Sequence, residues 1–88
     1  MSSADFDAAV KYVATATDMK ATDDDKLRFY KFYKQATVGD CNTTKPGLFQ
    51  LQQKYKWEAW DSLKGMPREE AMSNYVALLD RLVPSWRS

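Results

Sequence analysis

An all-α fold, a skewed four-helix bundle, follows from three features of this 88-residue chain. Apolar residues recur at three- and four-residue spacing in four separate segments, start or stop signals bound those segments, and no stretch alternates with a period of two. At this length the four segments make one domain, residues 1–88, with enough apolar residues for one core and little to spare.

The first helix spans about Ser3 to Ala16, where Phe6, Ala9, Val10, Val13 and Ala16 share a face and Ser2 and Asp5 have capping-box spacing. After a loop with Asp18, Met19 and Lys20, Thr22 caps a second helix, and Asp23, Asp24 and Asp25 complement its positive end. This helix continues to about Val38, where Gly39-Asp40 stops it; Cys41 to Gly47, with Asn42, two threonines and Pro46-Gly47, is a turn-rich loop. The connection to residue 50 is longer than a tight helical hairpin needs, so the second and third helices need not be simple antiparallel neighbours, and a groove has room to form. The third helix runs from about Gln52 to Leu63, with Lys56, Ala59, Trp60 and Leu63 on one face and Trp57 beside it. Gly65 ends it. Pro67 suits the first position of a fourth helix, Glu69 and Glu70 favour its N-terminus, and Met66 is a poor cap that leaves the start frayed. Met72, Tyr75, Val76, Leu79, Leu82 and Val83 form a long apolar stripe until Pro84 ends the helix, leaving Ser85 to Ser88 irregular.

The formal net charge of +1 hides an uneven distribution. Residues 1–25 carry net −4, residues 26–56 net +6 with Asp40 as their single acid, and residues 57–88 net −1. A basic middle third favours an anionic partner. The single cysteine, Cys41, forms no internal disulfide, which suits a reducing compartment; with no signal-like N-terminus and no apolar run of membrane length, the chain reads as cytoplasmic and not inserted in a membrane. There is no histidine, so the commonest general base and metal ligand are missing and enzymatic readings are disfavoured. Asp23 to Asp25 point in different directions from one helical turn, so capping explains them better than a metal does. Cys41 has no imidazole to activate it and reads as passive.

The stretch Leu27 to Gly47, LRFYKFYKQATVGDCNTTKPG, organises the rest. At about 100° per residue, Phe29, Phe32 and Ala36 form a core stripe, while Lys26, Leu27, Tyr30, Tyr33, Lys34 and Thr37 cluster on the adjacent side. Phenol rings that stack, beside ammonium groups that neutralise, suit a flat heterocycle next to a phosphate. Lys56 and Trp60, one turn apart, could face this helix and add a cation and an aromatic wall. The bland alternative is an amphipathic helix with half-buried tyrosines and solvated lysines. A nucleic-acid face is a weaker alternative, because the basic block is small and the net charge is near zero.

The blocks YKFYKQATVGD and NTTKPG, then KYKWEAWDSLKGM and EEAMSNYVALL, at these separations, resemble the acyl-CoA-binding proteins from Phe6 to about Leu82. The resemblance implies a four-helix bundle of that type that binds medium- to long-chain fatty acyl-CoA esters without covalent chemistry, transporting and buffering them as a cytoplasmic monomer with no cofactor. On this reading Tyr30, Lys34 and Lys56 match the positions that hold the ribose 3′-phosphate, and Tyr33 matches the residue beside the adenine. Tyr75 matches a site-lining tyrosine, Leu27 matches a position on the acyl path, and Lys20 and Tyr55 complete the expected ligand set. Phe6, Val10, Val13, Tyr75, Val76, Leu79 and Leu82 match the packing between first and last helices. The partners implied are fatty acyl-CoA itself and enzymes that produce or use it, with no nucleic acid. A helical interaction module docking an acidic protein through the Tyr/Lys face is the alternative.

The chain departs from the family pattern in four places. Ala14 stands where many members carry a lysine near the adenine, and Lys11, about one turn earlier, is a candidate to compensate for the missing cation. Gln53 and Tyr55 replace the frequent Gly and Ala, so Tyr55 is expected to narrow or shorten the acyl path. Met66-Pro67 replaces a hydroxyl-bearing helix start, and Pro84 shortens the last helix; both are expected to reduce stability and leave function intact.

Overall fold

The computed structural model describes residues 3–16 and 19–87 and contains four helices: α1 (Ser3–Thr15), α2 (Asp23–Thr37), α3 (Leu51–Asp61) and α4 (Arg68–Leu82). The bundle expected from sequence is therefore present, with helix ends shifted by a residue or two. The Ser2 cap lies outside the described residues. At the start of α2 the capping box is complete: the Asp25 N–H donates to the Thr22 hydroxyl at 3.1 Å, and the Asp25 carboxylate accepts from the Thr22 N–H at 3.1 Å. At its end Gly39 turns the chain at φ +99°, a conformation that glycine adopts without strain. The Arg68 guanidinium donates to the Val38 carbonyl across that turn at 2.8 Å, joining the first residue of α4 to the last turn of α2.

Three details differ from the sequence reading. Helix α3 stops at Asp61, because the following amides fold back over three residues, Leu63 to Trp60 and Lys64 to Asp61; Leu63 therefore lies in a tightened turn rather than on the helix face. Pro67 precedes α4 as its cap, with ψ 146°, instead of opening the helix, and no side chain caps that end. The C-terminal tail lacks regular structure but is pinned: the Trp86 indole N–H donates to Asp80 at 2.7 Å, and its ring packs 5.9 Å from that of Tyr12.

Packing is uneven across the four helices. Helix α2 lies against both α3 and α4, and α1 lies against α4. Phe6 and Ala9 of α1, Phe29 and Ala36 of α2, and Ala71, Tyr75, Val76, Leu78 and Leu79 of α4 form one buried cluster. Alanines at the crossings let the backbones approach, and Tyr75 sits edge-on between Phe6 and Phe29 with centroid distances of 5.2 and 5.0 Å. Val10, Val13 and Leu82 flank this cluster half-buried, as the match between first and last helices implied. Helix α3 contributes a single buried residue, Trp60, whose indole N–H donates to the Gly39 carbonyl at 2.8 Å. With so little apolar surface to bury, α3 leans on α2 at one end, and a cleft opens between them at the other.

A polar latch around one buried side chain holds this arrangement. Gln35, 1% exposed, donates through Nε2 to the Asp40 carboxylate at 2.9 Å and to the Met66 carbonyl at 2.8 Å, and the same Asp40 oxygen accepts from the Gly65 N–H at 2.8 Å. Removing either acceptor would leave the buried Gln35 amide with one hydrogen bond fewer. The Gly65 N–H and then the Gln35 amide hold the Asp40 carboxyl below its ordinary pKa of 3.8; hydrogen bonds from Thr22, led by its N–H, do the same for Asp25. A depressed carboxylate contributes stability above pH 3.8 and loses it as pH falls through the lower folded-state value. Thermal unfolding followed downward from neutral pH should show this acid loss, and Asp40→Asn should be less stable at neutral pH with a shallower decline below 3.8.

Candidate functional site

The α2–α3 cleft encloses about 680 Å³, a size suited to a small-molecule ligand. One wall is Asp23, Lys26, Leu27 and Tyr30 of α2; the other is Gln52, Tyr55 and Lys56 of α3. The α2 residues recur at three- and four-residue intervals and therefore share a face, and Gln52, Tyr55 and Lys56 do the same on α3. Two lysines cross the gap in opposite directions. Lys34 of α2 sits 4.8 Å above the Trp60 ring of α3, and Lys56 of α3 sits 5.4 Å from the Tyr30 ring of α2. Each ammonium rests on a π face and keeps donors free for an anion. The connecting loop is fastened to α3 by the Trp57 indole N–H, which donates to the Thr43 carbonyl at 2.9 Å, and by Lys45 at 3.8 Å from Glu58.

The residues expected from sequence fall into separate groups. Leu27, Tyr30, Tyr55 and Lys56 line the cleft, and Lys34 adjoins it through Trp60. Tyr33 lies toward α1, its ring 6.3 Å from that of Phe6 and the residue 40% exposed. Tyr75 is 3% exposed within the core, and Lys20 stands exposed in the α1–α2 loop; neither lines the cleft. Lys11 and Ala14 are both exposed on α1. Three cleft residues stand outside the ligand set expected from sequence. Lys26 belongs to the Tyr/Lys face, and its spacing from Tyr30 is the signal that could have placed it in the site. Gln52 lies one turn before Lys56, and Asp23 serves the cleft wall as well as the helix start. Among the described residues no group of three or more Cys, Asp or Glu side chains is arranged to hold a metal, and no helix is long and apolar enough to cross a membrane.

The profile of the family described as "Acyl CoA binding protein" matches residues 3–79. The chain belongs to the acyl-CoA-binding protein family. It is 48% identical over 69 residues to the acyl-CoA-binding protein of Saccharomyces cerevisiae, covering 78% of this chain and 79% of the yeast protein. The solution structure of the Babesia bovis T2Bo acyl CoA binding protein is 67% identical, with a TM-score of 0.88 and full coverage of both chains. The crystal structure of the family member from Moniliophthora perniciosa is 42% identical, with a TM-score of 0.93 over 100% of this chain and 86% of that one. The resemblance read from the YKQATVGD, Pro-Gly and KWEAW blocks is thus borne out, and so is the fold.

Burial pushes the Tyr75 phenol up to about 12, with a smaller contribution from the Tyr33 phenol nearby. The Tyr75 phenol, its ring packed between Phe6 of α1 and Phe29 of α2, therefore stays neutral beyond the ordinary tyrosine range. An acid whose folded pKa is raised favours folding below its unfolded value of 10.0, and that contribution disappears between 10.0 and about 12. Spectrophotometric titration should reveal one phenol ionising near 12 that is absent from Tyr75→Phe, and the variant should lose less stability than the parent across that interval.

Proposed function

We propose that the chain binds medium- to long-chain fatty acyl-CoA esters non-covalently, with the α2–α3 cleft as the central part of the site, and carries and buffers them as a cytoplasmic monomer. The observation that carries this reading is the pair of lysines reaching across the cleft onto aromatic rings, Lys34 over Trp60 and Lys56 over Tyr30, above the apolar Leu27. A phosphate entering between α2 and α3 meets both ammonium groups and the Tyr30 hydroxyl, which supports these three as the contacts to the ribose 3′-phosphate. Tyr33, 40% exposed, is the partner for adenine; Tyr75 and Lys20 act at the margins of the site, and Lys11 is the candidate to replace the cation missing at Ala14. Leu27 and Tyr55, on facing walls, flank the acyl chain. No nucleophile, general base, metal or cofactor takes part, because binding makes and breaks no covalent bond.

Two energy terms divide the recognition. Each methylene removed from water contributes about 0.8 kcal/mol, so a tail of a dozen gives on the order of 10 kcal/mol before ordering costs. The lysine and tyrosine donors select for the nucleotide, since a free fatty acid leaves them without phosphate. An acidic peptide on the same face would satisfy the lysines but would leave the 680 Å³ cleft with nothing to fill it. Enzymes that make or consume acyl-CoA are the partners this role requires.

Calorimetry with a long-chain acyl-CoA, free CoA and the free fatty acid should give tight binding for the first and at least about hundredfold weaker binding for the other two. Trp57 and Trp60 fluorescence should change with the ester; no heat and no emission change would overturn the reading. Tyr55 on the cleft wall carries a second expectation. Tyr55→Ala should shift the acyl-length optimum toward longer chains, by up to about fourfold in affinity per added methylene, and identical length profiles would remove Tyr55 from the acyl path.

A further inference from the structure

The acyl-CoA cleft does not use the whole basic block. Lys26, Lys34 and Lys56 serve it, and Lys45 pairs with Glu58, whereas Arg28 and Lys31 lie roughly 100–160° around α2 from Tyr30. They line a second groove of about 350 Å³ between α2 and α4, where they meet Arg81 and Asn74 over a floor that includes Phe32 and Leu78. The acid beside this cluster is Asp25, whose carboxylate is 3.5 Å from Arg28, is also lowered in pKa by Arg81, and is committed to the α2 cap. Among the described residues Lys31 and Arg81 have no ion-pair partner, and the Lys31 ammonium rests 5.2 Å from the Phe32 ring. The groove is therefore mainly cationic and polar, with a small apolar part to its lining at Phe32 and Leu78.

We propose that this α2–α4 groove docks an acidic segment of a partner protein, one with apolar residues between its carboxylates, on the face opposite the acyl-CoA cleft. A protein segment fits better than a lone anion for two reasons. The polar groups are spread along the groove: Asn74 and Arg81 are about 10 Å apart along α4, and Arg28 and Lys31 are one turn apart on α2, so one small anion cannot reach them all. The small apolar part of the lining, Phe32 with the edge of Leu78, offers a small anion nothing but suits contact with one aliphatic side chain. Because α2 separates groove from cleft, a partner seated here leaves the cleft open for ligand to enter or leave.

The test uses the full chain and a fluorescein-labelled peptide carrying two glutamate pairs separated by leucines, with a control in which glutamine replaces every glutamate. Anisotropy in the absence of acyl-CoA keeps this measurement independent of the proposed function, so either reading can fail alone. The acidic peptide should bind, shift the amide resonances of Lys31, Asn74 and Ala77, and weaken with salt. Lys31→Glu and Arg81→Glu together should weaken it about tenfold, while circular dichroism and acyl-CoA affinity stay at parental values. Equal binding of the glutamine control, shifts confined to Tyr30 and Lys56, or no loss in the double variant would overturn the proposal. So would saturation of the same resonances by inorganic phosphate, or charge-reversal-sensitive binding to phosphatidylserine vesicles without peptide binding, which would give the groove to a phosphate or to a lipid surface.

Discussion

The carboxamide of Gln35, shut away from solvent, donates to the Asp40 side chain and to the Met66 carbonyl, and Asp40 accepts from the Gly65 amide. Three elements are thereby tied at one point: the end of α2, the start of the long loop, and the turn from α3 into α4. Arg68 on the Val38 carbonyl and Trp60 on the Gly39 carbonyl fasten α4 and α3 to the same corner. From that corner, where Lys34 rests on Trp60, α3 diverges from α2 and the cleft opens toward Leu27 and Tyr55. A helix with one buried residue could not hold its place by apolar burial alone, so the polar latch and the buried indole define the cleft's width.

Within the cleft, aromatic rings hold the lysines ready. An ammonium over a ring at 4.8 or 5.4 Å is stabilised by about 0.5–1 kcal/mol at an exposed site. That is enough to keep the side chain near the gap, and far less than a charge-assisted bond to phosphate supplies. The same rings limit rotamer freedom before binding, which lowers the ordering cost that long lysine side chains otherwise bring. Leu27 and Tyr55 give the same cleft apolar surface on facing walls, where methylene burial would add affinity without regard to charge.

Much of this was legible in the sequence, for identifiable reasons. Helices α1, α2 and α4 carry regular apolar stripes, and Thr22 with Asp25 marks one start in capping residues. Helix α3 is harder, because Gln50 provides no side-chain cap and the turn after Asp61 depends on three-residue hydrogen bonds that leave no pattern in residue type. The phosphate-side candidates Tyr30, Lys34 and Lys56 converge because two helix faces meet. Gln52 escapes notice because an amide on a polar stretch carries no signature until the opposing wall is known. The Trp86 contact with Tyr12 depends on the chain reversing after Pro84, a long-range event that four terminal residues do not announce.

Helix α2 also repels itself. After Asp25 it has Lys26, Arg28, Lys31 and Lys34 and no acid, so like charges face one another at three-residue spacing from Arg28 to Lys31 and from Lys31 to Lys34. Each such neighbour pair costs a helix on the order of 0.2–0.5 kcal/mol, and Lys34 near the negative C-terminal end offsets only part of it. The alternating-charge pattern that would relieve the strain is absent from both flanks of the core stripe. Helix α2 thus holds its core face through Phe29 and Ala36, while the acids of its first turn, Asp25 beside Arg28 and Asp23 in the cleft wall, compensate only its N-terminal end. An anion bound beside these lysines would relieve that repulsion, so its affinity would gain from a term built into the free protein.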